Sequence, residues 1–94
     1  MSKYTVKYTS RFKKEAKRAE KQGKNMALLK TTAALLSSGE SLPPKFKDHA
    51  LTGNWEGYRE CHLSPDWLLI YLIENDVLVL TLTRTGSHAE IFNK

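Results

Sequence analysis

The apolar positions at the start of the chain alternate. Tyr4, Val6 and Tyr8 are separated by Thr5 and Lys7, and this period of two predicts a strand with one buried face. The period then lengthens. Thr9 and Ser10 offer helix N-caps, and Phe12, Ala16 and Ala19 follow at helical spacing with Lys and Arg at most positions between them. This helix is expected to run to about Gly23, a residue suited to a C-terminal cap. Asn25 caps a second helix, in which Met26, Leu29, Ala33 and Leu36 form one apolar stripe widened by Leu28 and Leu35, and Gly39 ends it. So short a connection makes the two helices an antiparallel hairpin, and a stripe of that width must be buried on something.

From Glu40 to Asn54 the pattern breaks. Pro43 and Pro44 oppose helix and ladder pairing, and Gly53 and Asn54 mark a turn, so a loop is expected. Three strands follow, over residues 55–62, 67–74 and 77–83. Ser64 and Pro65 turn the chain between the first two, and Asn75 and Asp76 between the last two, which makes an antiparallel meander. In the last two strands both side-chain phases are largely apolar. They are therefore expected to be central, with one face under the helix pair and the other left for a partner. Ser87, His88, Ala89 and Glu90 fit a capping box, so a short helical turn is expected to start at Ser87. The fold class is α+β: an N-terminal strand and a helix hairpin packed on a mainly antiparallel sheet that ends in a three-strand meander.

Length and charge narrow the picture. A chain of 94 residues supports one modest core, so residues 1–94 are read as a single domain. Residues 1–30 hold ten Lys or Arg against Glu15 and Glu20, a balance of +8 that leaves −3 for the rest of a chain whose total is +5. Such a block, with Lys13, Lys14, Lys17, Arg18 and Lys21 expected to make its phosphate contacts, favours a polyanion, nucleic acid before membrane, and the other reading is a solvated helix face whose charges serve solubility. No run approaches the roughly 20 apolar residues needed to cross a bilayer, and the first residues lack the apolar core of a signal peptide. The cytoplasm is the expected location. Cys61, the single cysteine, reads as a small buried residue because nothing around it marks a reactive thiol.

The candidate chemistry lies between Lys47 and Phe92. His49 falls in the loop beside Asp48. The Ser64–Pro65 turn is expected to bring His62 and Asp66 to the two ends of one hairpin, an imidazole and a carboxylate suited to proton transfer. At the C-terminal turn, free helix amides with Arg84 and His88 describe an anion site carrying an acid or base. No nucleophilic side chain is evident. RNA supplies its own nucleophile, the 2′-hydroxyl, so a base, a cation and an acid suffice to cleave it. Metal ligation by His49, His62, His88 and Asp66 is the competing chemistry, and it ranks lower because HxH, HExxH and CxxC spacings are missing. No metal and no cofactor is expected.

The series KDHALTGNWEGYRECHLSPDWLLIY, followed by RTGSHAEIF, resembles the pattern of YafQ-type mRNA interferase toxins of the RelE/ParE superfamily, and the likeness runs nearly end to end. The resemblance implies a RelE-like fold and a toxin that enters the ribosomal A site, cleaves mRNA there and is neutralised by a cognate antitoxin. It implies active-site roles for His49, His62, Asp66, Trp67, Arg84, His88 and Phe92. Under it, His88 is the general acid and Arg84 the stabiliser of the phosphorane. Asp66 with His62 or His49 supplies the base and its orientation, and Trp67 and Phe92 stack an unpaired base. Two other classes stay open, a ParE-like gyrase inhibitor without catalysis and a plain RNA-binding module.

Overall fold

The computed structural model describes residues 3–92. Thr5–Tyr8 form β1, Ser10–Lys21 form α1 and Met26–Ser37 form α2. The turn that follows carries a single 3-10 turn at Pro44–Phe46, then β2 at His49–Ala50 and a second 3-10 turn at Gly53–Trp55. Arg59–Ser64 are β3, Trp67–Glu74 are β4, Val79–Gly86 are β5 and His88–Phe92 are α3. The five strands make one sheet in the order β1-β5-β4-β3-β2. The last three strands form the expected meander, and β1 lies parallel to β5 with Val6 opposite Leu80 and Tyr8 opposite Leu82.

Local chemistry explains the element ends. Thr9 caps α1 by accepting the Phe12 N–H at 2.9 Å, and its hydroxyl donates to the Thr83 carbonyl at 2.7 Å, so one residue closes a helix and ties it to β5. Asn25 caps α2 from its side chain at 3.2 Å. Gly39 follows α2 with φ of +81°, a left-handed conformation that favours glycine.

The sheet has two buried faces. On one, Trp67, Leu69, Tyr71, Leu80 and Leu82 pack with Phe12, Ala19, Leu29 and Leu36 of the helix hairpin. On the other, Leu68 and Ile70 are fully buried under Ile91, with Leu51, Trp55, Tyr58 and Phe92 around them. This corrects the expectation that the second face waits for a partner. The 51–58 segment and α3 fold back over it, because two apolar phases in β4 need two covers within the same chain.

Other expectations shift by a few residues. His49 and Ala50 pair with Glu60 and Arg59 as an edge strand instead of lying in a loop. Trp55 belongs to a 3-10 turn, with Trp55 N–H donating to the Thr52 carbonyl at 3.2 Å, so β3 starts at Arg59 and not at Trp55. Val77 and Leu78 are exposed and fall in the turn before β5, where Leu78 takes φ of +52°. The Tyr4 hydroxyl donates to the Asn75 side chain at 2.7 Å and fixes that turn against the start of the chain.

Thr9→Ala removes a cap and a tertiary hydrogen bond together. It should lower unfolding free energy by roughly 1–2 kcal/mol, read from urea titration, while Thr9→Ser keeps most of the stability. Equal losses in both variants would mean that the methyl group, not the hydroxyl, matters.

Candidate functional site

The site is built from a row across the sheet. In register, His49 of β2 lies opposite Glu60 of β3, Glu60 opposite Ile70 of β4, and Ile70 opposite Arg84 of β5. Cross-strand partners share a face, so these side chains start from the face that carries Leu68 and Ile70. The strand on each side of β4 carries a bulge, and the one in β5 sets this arrangement. Leu63 is an extra residue between His62 and Ser64, and Thr83 is an extra residue between Leu82 and Arg84. Without the second bulge Arg84 would share the side of Leu80 and Leu82.

Glu60 is the centre of the row. Its carboxylate is only 5% exposed, and its Oε1 lies 3.1 Å from His49 Nε2 and 3.2 Å from His62 Nε2. The His62 ring stands 5.7 Å from the His88 ring, centroid to centroid, and His88 stands 6.1 Å from Phe92. Asp66 completes the set. Its Oδ1 accepts the His88 backbone N–H at 3.3 Å and lies 3.3 Å from the ring Nδ1. These hydrogen bonds from His88, backbone first and then side chain, hold the Asp66 carboxyl below the usual carboxylate range.

Three details depart from the sequence reading. Asp66 pairs with His88 and not with His62, because the two-residue turn at Pro65 and Asp66 points the carboxylate at α3 while Glu60, two positions before His62 on the same strand, claims His62. The amides expected to be free at the start of α3 are occupied. Ser87 N–H donates to Glu90 Oε1 at 2.9 Å, closing the capping box, and His88 N–H donates to Asp66. Arg84 is no free donor fork either. Its Nε and Nη2 grip buried Glu15 of α1 at 2.8–3.0 Å, and its side chain is 13% exposed.

Trp67 is corrected as well. It is 2% exposed with its ring in the helix-side core and its Nε1 lacking a hydrogen-bond partner, so no base can stack on it. The aromatic that rims the site is Trp55, set edge-on to Phe92 at 5.8 Å and to Tyr58 at 5.5 Å. Glu60, Glu15 and Trp55 escaped the sequence reading. For Glu60 a signal exists, since residues two apart on a strand share a face and Glu60 precedes His62 by two.

The remaining groups are placed as follows. Lys13, Lys14, Lys17 and Lys21 are exposed on α1, and Arg18 bridges to Glu90 at 3.4 Å, so this helix borders the C-terminal turn more closely than its place in the sequence suggests. Cys61 is fully buried, and burial with Asp48 and Glu60 nearby pushes its thiol up to about 12, which keeps it unreactive. His49, Glu60 and His62 place one ligand atom each within 4.8 Å of one another. Two imidazoles and a carboxylate are a donor set that suits zinc or copper, a grouping the expectation of no metal site did not foresee. No helix among the described residues is long and apolar enough to cross a membrane.

The architecture is that of bacterial toxins solved with their antitoxins: the chain is similar to the toxin in the Escherichia coli DinJ-YafQ toxin-antitoxin complex, at a TM-score of 0.88 and 40% identity over 96% of this chain and 98% of that one. Residues 4–93 match the family of the bacterial toxin of type II toxin-antitoxin system, YafQ, and the chain belongs to that family. The mRNA interferase toxin YafQ of Escherichia coli K12 is 41% identical over 93% of this chain and 94% of its own length. A metal-bound toxin from Helicobacter pylori is similar at a TM-score of 0.89, with 40% identity over 95% of this chain and 99% of that one.

Acid should loosen α3. Hydrogen bonds from His88 depress Asp66, and the Ser87 N–H followed by Arg18 depresses Glu90. A carboxyl whose folded value lies below its unfolded one contributes stability in full above the unfolded value, and that stability is lost as pH falls through the folded value. The urea midpoint should hold from neutrality to about pH 5 and fall through about pH 4 and below. The pair Asp66→Asn with Glu90→Gln should flatten that fall; a fall as steep as the parent's would place the acid-sensitive contact elsewhere.

Proposed function

We propose that this protein is an endoribonuclease that cleaves mRNA in the ribosomal A site without a metal, and that a cognate antitoxin silences it in the cytoplasm. One observation carries the reading. Two imidazole and carboxylate pairs, His62 with Glu60 and His88 with Asp66, face each other with rings 5.7 Å apart. That spacing suits a base and an acid working on two oxygens of one phosphodiester.

His62 is the base. Its Nε2 is held by Glu60, which leaves Nδ1 to take the proton of the 2′-hydroxyl while that oxygen attacks phosphorus. His88 is the acid. Asp66 holds its Nδ1, and the proton on Nε2 passes to the departing 5′-oxygen as the P–O5′ bond breaks and a 2′,3′-cyclic phosphate remains. Arg84, anchored by Glu15 through Nε and Nη2, has Nη1 left for the negative charge of the phosphorane. His49 orients Glu60, and Phe92 with Trp55 offers a ring edge to an unpaired base.

The substrate rests on the name of the E. coli relative, an mRNA interferase toxin, and the antitoxin on the DinJ-YafQ complex. Lys13, Lys14, Lys17 and Lys21 are exposed and suit ribosomal RNA phosphates. An acidic antitoxin segment docking near α3 would cover His88 and oppose the chain's net +5 charge.

An ion held by His49, Glu60 and His62 would supply a Lewis acid. His62 bound to an ion through Nε2 is a weaker base at Nδ1, so proton transfer and metal compete for one ring. Chelator-treated protein should therefore cleave mRNA at the parent rate on ribosomes that keep their own magnesium, and stoichiometric zinc should slow it. Activity lost on stripping and restored by zinc would reverse this assignment.

His88→Ala should cost about two to four orders of magnitude in single-turnover cleavage, with fold and antitoxin binding intact because Ser87 and Glu90 close the capping box without it. His62→Ala should cost a similar factor and remove the opposite limb of the pH profile. A His88→Ala protein that cleaves at the parent rate with both limbs unchanged is not missing its acid.

A further inference from the structure

A cavity of about 370 Å³ opens beside His62, bounded by the first turn of α2, the 44–46 turn and the turn between β3 and β4. That size falls within the range of small-molecule sites. Leu28 and Phe46 are among its apolar walls, while Lys45, Lys47 and Ser64 add polar groups. Among the described residues no carboxylate lines it. His62 belongs to both this cavity and the row of histidines, so whatever fills the cavity touches the base.

The two lysines are held from both sides. Phe46 between them is buried in the main core, and Lys45 Nζ lies 5.6 Å from its ring centroid. Lys47 takes φ of +49°, and the next residue, Asp48, is pinned by the Tyr71 hydroxyl at 2.6 Å and Arg59 Nε at 3.2 Å. Burial, and then the bond to Asp48, push the Tyr71 phenol above its ordinary range, so it stays a donor. The 45–48 segment is thus a fixed cationic lip and not a loose tail of charge.

We propose that this cavity is a subsite for the RNA nucleotide next to the scissile phosphate on the His62 side. Its base lies against half-buried Leu28, beside the small exposed part of Phe46, and its phosphate sits between Lys45 and Lys47. An apolar slot takes the face of any base, and a pair of ammonium groups takes the phosphate. The inference rests on the ribonuclease reading, and it adds a position at which the RNA strand is gripped away from α1 and α3.

The test is a coupling measurement. Ribosome-bound mRNAs carrying an abasic site at each position around the cleaved bond are compared in single-turnover cleavage by the parent and by Ser64→Leu, which fills the slot. One flanking abasic site should slow the parent roughly 10- to 100-fold, the worth of a stacked base, and should slow Ser64→Leu little further. Lys45→Ala, which leaves the walls in place, should weaken cleavage and lower its salt dependence. Additive losses in Ser64→Leu, together with an unchanged Lys45→Ala, overturn the subsite.

A second readout separates this proposal from the ribonuclease reading. A short RNA with a 2′-deoxy residue at the scissile position should shift the NMR signals of Leu28, Phe46 and Leu63 in the parent. Those shifts, with no cleavage of the all-ribose mRNA on the ribosome, leave the subsite standing and sink the nuclease. Cleavage without them, or the same shifts from a polyglutamate peptide and none from RNA, sinks the subsite.

Discussion

The C-terminal half of the site hangs on Glu15. This carboxylate is buried in the middle of α1, on a helix otherwise dominated by lysine and arginine, and it receives Arg84 through Nε and Nη2 and the Thr85 N–H at 3.1 Å. Arg11 and Arg18 lie further out, at 3.8 and 3.9 Å. A buried ion pair contributes little net stability, but removing one partner strands a charge at a cost of about 3–5 kcal/mol. Glu15 and Arg84 therefore specify more than they stabilise. They fix where β5 ends against α1, and α3 with His88 starts two residues beyond Gly86.

The bulge at Thr83 makes this geometry available. Through Leu82 the strand sends alternate side chains toward the helices, and after the extra residue Thr85 resumes that side, opposite Leu69, while Arg84 lies opposite Ile70. Thr85 closes its own hydroxyl on the Leu68 carbonyl at 2.7 Å, so the shifted register is fully satisfied where it is buried. The other bulge, at Leu63, falls after His62: plain alternation from Cys61 already puts Leu63 in the helix-side core and His62 on the face of the histidine row, and the shift changes only Ser64, which lies opposite Trp67. One irregularity beside a regular β4 thus brings Arg84 onto the face that already carries Glu60 and His62.

At the opposite edge the restraint comes from behind. β2 is only two residues long, too short to hold itself, and Asp48 just before it is bound to Tyr71 and Arg59. Tyr71 is in the core on the helix side, so packing of the main core is transmitted to the residue that precedes His49. The rigid hairpins hold Glu60 and His62, while His49 and His88 are delivered by short elements whose positions depend on side-chain bonds.

The sequence by itself determined the α+β class, the two capped helices, the meander and the capping box at Ser87, because each follows from local periodicity or from hydrogen bonds within a few residues. It also marked every histidine of the site and, through the resemblance, the toxin family. It placed the strand ends early at Trp55 and Val77, where an apolar residue in a turn reads like one in a strand. Only the tertiary structure decided which carboxylate serves which imidazole, that Trp67 is core while Trp55 rims the site, and that Arg84 is bound to Glu15, 69 residues away. For most of these the reason is that partners distant in the sequence meet only once the elements pack, and for Arg84 it is the bulge. One extra residue reverses the face of everything after it, and its presence is set by long-range packing that no local pattern records.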